Sequence, residues 1–294
     1  MRKKTSGKRN LRVWAKTYLS DLGYLIPALV LFITFIVVPF FQGVPIAFYK
    51  WDGISPAKKW VGFRNFQTVF MDPAIRNSLV VSIKFMLYGL IFSNVFGLSF
   101  ALLLHKRRPG TSLARSLIFL PYVISGVLTS YIWQYTYTDF FFKVLGIRSP
   151  LTQQSTAILG VSILSLWHNI GFCMVIFIAG LNAIPMSLYE AAKIEGANAW
   201  QRFIYVTLPM IASSFTVTVT MLLAFGMKVF DFPYIVTQGG PGRATESLAI
   251  VIYRNIFTYM KAGYGQAIAY VFTIVLCVIS FTVSRLMRSW EVEQ

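Results

Sequence analysis

The sequence predicts an all-α membrane protein with six transmembrane helices, and three observations carry that prediction. Mean hydropathy is +0.63, with 56% hydrophobic residues. Six apolar runs each reach or exceed the roughly twenty residues that cross a hydrocarbon core at a rise of about 1.5 Å per residue. Acids number only ten in 294 residues, and nearly all of them fall outside those runs. A run that stays in lipid must satisfy its own backbone N–H and C=O groups, which selects the helix.

The first run, Tyr24 to Phe48, follows a tail bearing Arg2, Lys3, Lys4, Lys8, Arg9, Arg12 and Lys16. It is too long for the apolar core of a signal peptide and lacks a clear small-residue cleavage site, so it reads as a retained span. The second span covers Ser78 to Leu104, the third Ser116 to Thr136 and the fourth Ala157 to Leu181. The fifth runs from Met210 to Ile235 and the sixth from Ala267 to Met287. Six spans place both termini on one side. On that side the flanks and loops hold fifteen Lys and Arg, against ten on longer loops opposite, so positive charge puts the termini in the cytoplasm. The basic tail is then an orientation signal rather than a nucleic-acid arm. Cys173 and Cys277 both fall inside spans and show neither a disulfide framework nor metal-ligand spacing.

One polar island, Gly180 to Ile211, separates the fourth and fifth spans. Pro185 suits an opening helical turn, and Ser187 with Glu190 three residues later has capping-box spacing. Leu188, Ala191, Ala192 and Glu195 recur at helical spacing, and Gly196 is the residue to end the run. Trp200, Phe203, Ile204 and Thr207 then share a face before Pro209 turns the chain back into the bilayer. The reading is helix, glycine break, helix, with the small side chains of Ala191 and Ala192 permitting close approach by a partner.

Glu190-Ala191-Ala192, then Gly196, then Leu208-Pro209, resembles the E-A-A loop of importer-type ABC transporter permeases, with Glu195 where that family usually has Asp. Two outer segments extend the resemblance to its carbohydrate (maltose and glycerol-phosphate permease-like) branch. These are Val61-Gly62-Phe63-Arg64-Asn65-Phe66, and Thr237-Gln238-Gly239-Gly240-Pro241-Gly242 followed by Thr245-Glu246. The resemblance implies a type I importer permease fold over residues 21–287, with a coupling loop at 182–209 and cytoplasmic tails at 1–20 and 288–294. It also implies a bacterial plasma-membrane location and, as companions, a second and different permease chain, two cytoplasmic ATPase subunits and an external solute-binding protein. Glu190, Ala191, Ala192 and Gly196 would form the ATPase-coupling element.

No carboxylate relay runs through the spans, where ionisable groups are costly and kept for function. Only Asp231 approaches a span interior. The chain also lacks a Walker A sequence, so energy is expected to enter through a partner and the chain is expected not to be an enzyme and to need no cofactor. A sugar path calls for aromatic faces and hydrogen-bonding rims turned into a wet cavity. Candidates are Tyr122 and Ser125 after Leu120-Pro121, Tyr131 and Gln134 beyond them, and Trp167, His168 and Asn169 in the fourth span. Trp133 reads instead as an interfacial belt residue. Lys228 and Asp231, three apart, are expected to pair on one helical face. The same architecture would serve a phosphorylated polyol, with Lys228 meeting the anion. An intramembrane enzyme finds no support, because Cys173 and His168 are five apart and on different faces of their helix.

Overall fold

The computed structural model describes residues 23–106 and 108–291; the basic tail at 1–20 and the last three residues of the carboxyl-terminal tail lie outside them. Almost everything described is helix. Four uninterrupted helices are long and apolar enough to cross a membrane: α1 (Gly23–Ile46), α3 (Pro73–Leu104), α6 (Gln154–Ala183) and α12 (Ala262–Arg288). Counting each of two bent pairs as one span brings the number to six, by length and composition. α4 (Thr111–Val123) meets α5 (Gly126–Leu145) at 100°, and α8 (Ala199–Met210) meets α9 (Ala212–Met227) at 62°. Shorter helices are α2 (Arg64–Met71), α7 (Met186–Ile194), α10 (Asp231–Thr237) and α11 (Leu248–Thr258). A two-stranded hairpin, β1 (Tyr49–Lys50) against β2 (Lys59–Trp60), follows α1.

α6 is the central helix, packed on α3, α4 and α9. Small residues let it approach its neighbours closely, as membrane helices with no hydrophobic drive toward one another require. A Cβ on Gly171 would lie 2.4 Å from the Ile118 carbonyl oxygen, so any side chain there would force α4 off α6. α3 is joined to α9 by a buried hydrogen bond from Thr218 Oγ1 to Asn94 Oδ1, 2.6 Å long. Its start is fixed by Asp72, whose carboxylate accepts from Ala74 N at 2.8 Å, with Pro73 as first helical residue. Its end is closed by Arg115, which donates to the carbonyl oxygens of Leu104 and His105 at 3.0 Å each. At 32 residues α3 is about 48 Å long, so it separates two distinct ends of the molecule.

Two predicted spans are not continuous. The third breaks at Ile124, which is extended, and Ser125, whose Oγ accepts from Leu128 N at 3.3 Å and opens α5 as a new helix. The fifth ends at Met227; residues 228–230 leave the helix, and α10 starts at Asp231. Lys228 and Asp231 therefore lose their one-face relationship, and no ion pair joins them among the described residues. Trp133 is not simply a belt residue. Its ring packs 5.8 Å from Trp167 and 5.1 Å from Tyr137, whose hydroxyl donates to the Gly160 carbonyl at 3.0 Å.

Candidate functional site

At the end of the molecule where α3 stops, α7 and α8 form a compact two-helix module. The helix break is a complete left-handed closure: Gly196 has φ +81°, its N–H donates to Lys193 O at 3.0 Å, and Ala197 N donates to Ala192 O at 2.9 Å. The capping box lies elsewhere than the spacing of Ser187 and Glu190 suggested. Pro185 is the extended residue before α7, so Ser187 already sits inside the helix and makes no cap. The box is Asn198 with Gln201, opening α8: Asn198 N donates to Gln201 Oε1 at 2.8 Å and Gln201 N to Asn198 Oδ1 at 2.9 Å.

This relocation leaves Glu190 exposed, with neither a side-chain hydrogen bond nor an ion pair to any described residue. The two helices are held together by Tyr189 and Thr207, whose hydroxyl oxygens are 3.0 Å apart, and Arg202 donates to Ala197 O at 3.2 Å. Ala191, Ala192 and Gly196 line one hollow of about 500 Å³ between α7 and α8, floored by Leu188 and Tyr205. Glu190 lies on the other flank, in a hollow of about 740 Å³ reached also by His105, Lys106, Lys193 and Arg202. The four residues of the loop motif thus serve two faces of one helix.

The predicted path residues divide into three groups. Tyr122 and His168 come together: their rings are 5.6 Å apart, Tyr122 stacks on Phe172 at 5.1 Å, and His168 meets Phe232 at 5.4 Å. Trp167 belongs to the Trp133 cluster, while Asn169 Nδ2 turns back to its own helix, donating to Ser165 O at 2.7 Å. Ser125 serves as a cap, and Tyr131, 58% exposed, and Gln134 lie beyond the bend on α5.

A buried acid went unread in the sequence. Glu246 is 2% exposed, far more enclosed than Asp231, and both of its oxygens are bound: Arg254 Nη1 at 2.5 Å on one, Arg243 Nε on the other. Arg254 Nη2 also donates to the Gln238 carbonyl at 2.7 Å. Around this carboxylate the segment from Thr237 to Leu248 fastens α3, the start of α6 and the stretch after α9. Gln154 Nε2 of α6 donates to Gly242 O at 2.9 Å, Ser247 Oγ to Val229 O at 2.7 Å, and Leu248 N to Ser82 Oγ of α3 at 2.9 Å. The readable signal is an acid flanked by two arginines, at positions 243 and 254, in the segment that carries the outer resemblance.

Residues 93–289 match the family described as binding-protein-dependent transport system inner membrane component. The chain belongs to this family. The matched stretch runs from the carboxyl-terminal half of α3 through α12 and so contains the module, the aromatic cluster and the Glu246 segment. Among its relatives in the family, the probable starch degradation products transport system permease protein AmyD of Thermoanaerobacterium thermosulfurigenes is 33% identical, covering 92% of this chain and 94% of that protein. The trehalose/maltose transport system permease protein MalF of Thermococcus litoralis is 31% identical, covering 90% and 92%. The fold matches a membrane chain in the crystal structure of a bacterial ABC transporter involved in the import of the acidic polysaccharide alginate. The TM-score is 0.78 at 22% identity, over 95% of this chain and 99% of that one. A family defined as an inner membrane component agrees with helices long and apolar enough to cross a membrane.

Proposed function

We propose that the chain is one of two membrane-spanning subunits of an ATP-driven importer, carrying a sugar or oligosaccharide inward by alternating access. Family membership carries this reading, and the names of the relatives, which transport starch degradation products and trehalose or maltose, point to carbohydrate. The companions are a second, different permease chain, two ATPase subunits and an external solute-binding protein. Both termini and the α7–α8 module face the cytoplasm of a bacterial plasma membrane. The charge bias of fifteen against ten supports that orientation, as does the module's place at the far end of α3 from the hairpin.

In this mechanism Glu190 is the contact that reaches into an ATPase subunit, and Ala191, Ala192 and Gly196 allow the close seat. An uncommitted, exposed carboxylate at the front of a well-closed helix supports the role. Nucleotide-driven closure of the ATPases displaces α7 and rocks the bundle between outward and inward access. Solute passes the bend at Ile124–Ser125, where Tyr122 offers a ring face and His168 a polar edge, with Trp167, Asn169, Ser125, Tyr131 and Gln134 as further path candidates. A phosphorylated polyol is the second reading, favoured by Lys228, which is exposed and forms no ion pair among the described residues.

The deciding experiment reconstitutes the chain with its companion permease, ATPases and binding protein in proteoliposomes and screens solutes for stimulation of ATP turnover. Neutral oligosaccharides should stimulate turnover and accumulate inside. Stimulation by sugar phosphates alone would replace the sugar reading with the second one, and accumulation without ATP would end the importer reading altogether.

A further inference from the structure

Lys84 interrupts the apolar run of α3, and nothing in the mechanism above uses it. It lies about 16 Å along a helix of about 48 Å, on the hairpin side of the midpoint. The residue is exposed, and its ammonium forms neither a hydrogen bond nor an ion pair among the described residues. A cation at such a depth is costly in lipid unless it reaches the headgroup level or meets an anion.

Beside Lys84, one face of α3, the first turn of α6 and residues 242–244 enclose a hollow of about 450 Å³. Two cations line it, Lys84 and Arg243, and no acid does. Arg243 is held at φ +65°, a backbone conformation that L residues rarely adopt, with its Nε committed to Glu246. Glu246 also takes Arg254, so one carboxylate serves two guanidiniums and the cluster keeps a net positive charge. Asn77 and Ser155 bring side chains that have no hydrogen-bond partner among the described residues. Gln153 gives α6 no side-chain cap, so the positive end of a 30-residue helix lies in the same wall. That wall is fixed, because Gln154 Nε2 donates to Gly242 O at 2.9 Å and a Cβ on Gly242 would lie 2.2 Å from the same nitrogen. Two cations, free polar side chains and a helix start around an acid-free space suit an anion with several oxygens, as a phosphate has.

What carries the phosphate follows from the rest of this face of α3. Val80, Leu87 and Ile91 share a side of the helix with Lys84 and are 45%, 43% and 49% exposed. A cation followed toward the membrane interior by an apolar strip has the polarity of a phospholipid, headgroup first and chain after. A soluble phosphate ester would fill the hollow and leave the strip bare.

We propose that the hollow between α3, α6 and residues 242–244 holds the phosphate of a membrane phospholipid, bound by Lys84 and Arg243, with an acyl chain laid along Leu87 and Ile91. The site is independent of which solute the chain carries.

The test uses the complex purified from membranes through a tag on this chain, stripped of lipid in mild detergent and titrated with phosphatidylglycerol. Native mass spectrometry counts the lipid bound. At limiting lipid the wild type and Lys84→Arg should hold one more phosphatidylglycerol than Lys84→Met. The methionine variant should need about tenfold more lipid for the same occupancy, the scale of one lost charge-assisted hydrogen bond. Diacylglycerol, which lacks the phosphate, should bind both alike. A Lys84→Met complex that titrates like the wild type overturns the proposal. Glycerol 3-phosphate that displaces phosphatidylglycerol at equal concentration assigns the hollow to a soluble phosphate ester and overturns it too. A photoreactive leucine analogue at position 87 gives a second measurement in proteoliposomes, with the lysine unaltered, and decides the matter should Lys84→Met fail to assemble. Cross-linking to phospholipid is expected, and cross-linking to a companion chain in its place overturns the proposal. Every one of these outcomes leaves the importer reading intact.

Discussion

His168 Nε2 lies 3.2 Å from the backbone oxygen of Ile124, forty-four residues earlier in the chain, at the apex of the α4–α5 bend. A carbonyl oxygen only accepts, so Nε2 must carry the proton, and the neutral ring then presents Nδ1 as an acceptor. Nδ1 is buried and makes no hydrogen bond of normal geometry. A buried acceptor left open costs free energy unless something donates to it, and rocking of the bundle that uncovers Nδ1 would let a hydroxyl-rich solute be that donor. His168→Phe keeps the ring packing against Tyr122 and Phe232 while removing both nitrogens. The half-saturating solute concentration should rise about tenfold, on the scale of one buried hydrogen bond, with chain yield and basal ATP turnover little changed. Unchanged saturation in uptake assays would remove His168 from the path.

Glu190→Ala should cut solute-stimulated ATP turnover by at least about tenfold, the scale of one lost charge-assisted contact, while the chain still inserts and binds its companion permease. Gly196→Ala tests the same module differently. With φ at +81° an alanine strains the closure by about 1–2 kcal/mol. It should weaken coupling less than Glu190→Ala does, and amide exchange across α7 should quicken. Co-purification of the ATPase subunits with each variant provides the comparison.

Glu246→Ala strands two arginines at once. Arg254, with its side chain 25% exposed, pays most, and the loss should be about 3 kcal/mol. Arg243, at 49%, is screened by water, so Arg243→Ala should cost no more than about 1 kcal/mol. Thermal unfolding of the detergent-solubilised chain should therefore rank the variants Glu246→Ala, Arg254→Ala, Arg243→Ala from least to most stable. An Arg243 variant as damaged as the Glu246 one would contradict the arrangement.

Asp52 supplies a pH dependence in the loop between β1 and β2. The backbone N–H of Ile54, with the hydroxyl and N–H of Ser55, holds its carboxyl below the ordinary 3.8. A carboxyl lowered by folding contributes order that is complete above its unfolded value and is lost as pH falls through the lower folded one. Protection of the Ile54 and Ser55 amides from hydrogen exchange should thus persist at pH 5 and vanish only in stronger acid, below about pH 4. In Asp52→Asn the protection should no longer change with pH, once the intrinsic exchange rate is allowed for.

The long apolar helices were legible because runs of this length have few alternatives in lipid, and the module was legible because Gly196 ends its helix as the local chemistry requires. Hydropathy could not see the interruptions. Ser125 and the stretch from Lys228 to Phe230 are single hydrogen-bond and backbone events inside runs that stay apolar on average. Ser187 and Glu190 fit the spacing of a cap, but the cap position falls at Pro185 and not at Ser187, and the less conspicuous Asn198 and Gln201 form the box instead. Of the path candidates, Tyr122 and His168 converge because the bend brings the end of α4 against α6. Trp167 and Asn169 follow neighbouring directions on the same helix and are claimed by other contacts. The burial of Glu246 stayed hidden because Arg254 lies eight residues on, within α11, at a separation that simple charge-pair spacing does not cover.

α1 and α12 meet near the hairpin end, where Tyr270 Oη donates to the Phe40 carbonyl, the two rings lie 5.2 Å apart, and Gly43 leaves room for Gln266. α1 precedes α12 in the chain, so it gains this neighbour only after every helix between them has been made. Until then lipid lies where α12 will later pack, and the contact joins segments that are far apart in time of synthesis as well as in sequence.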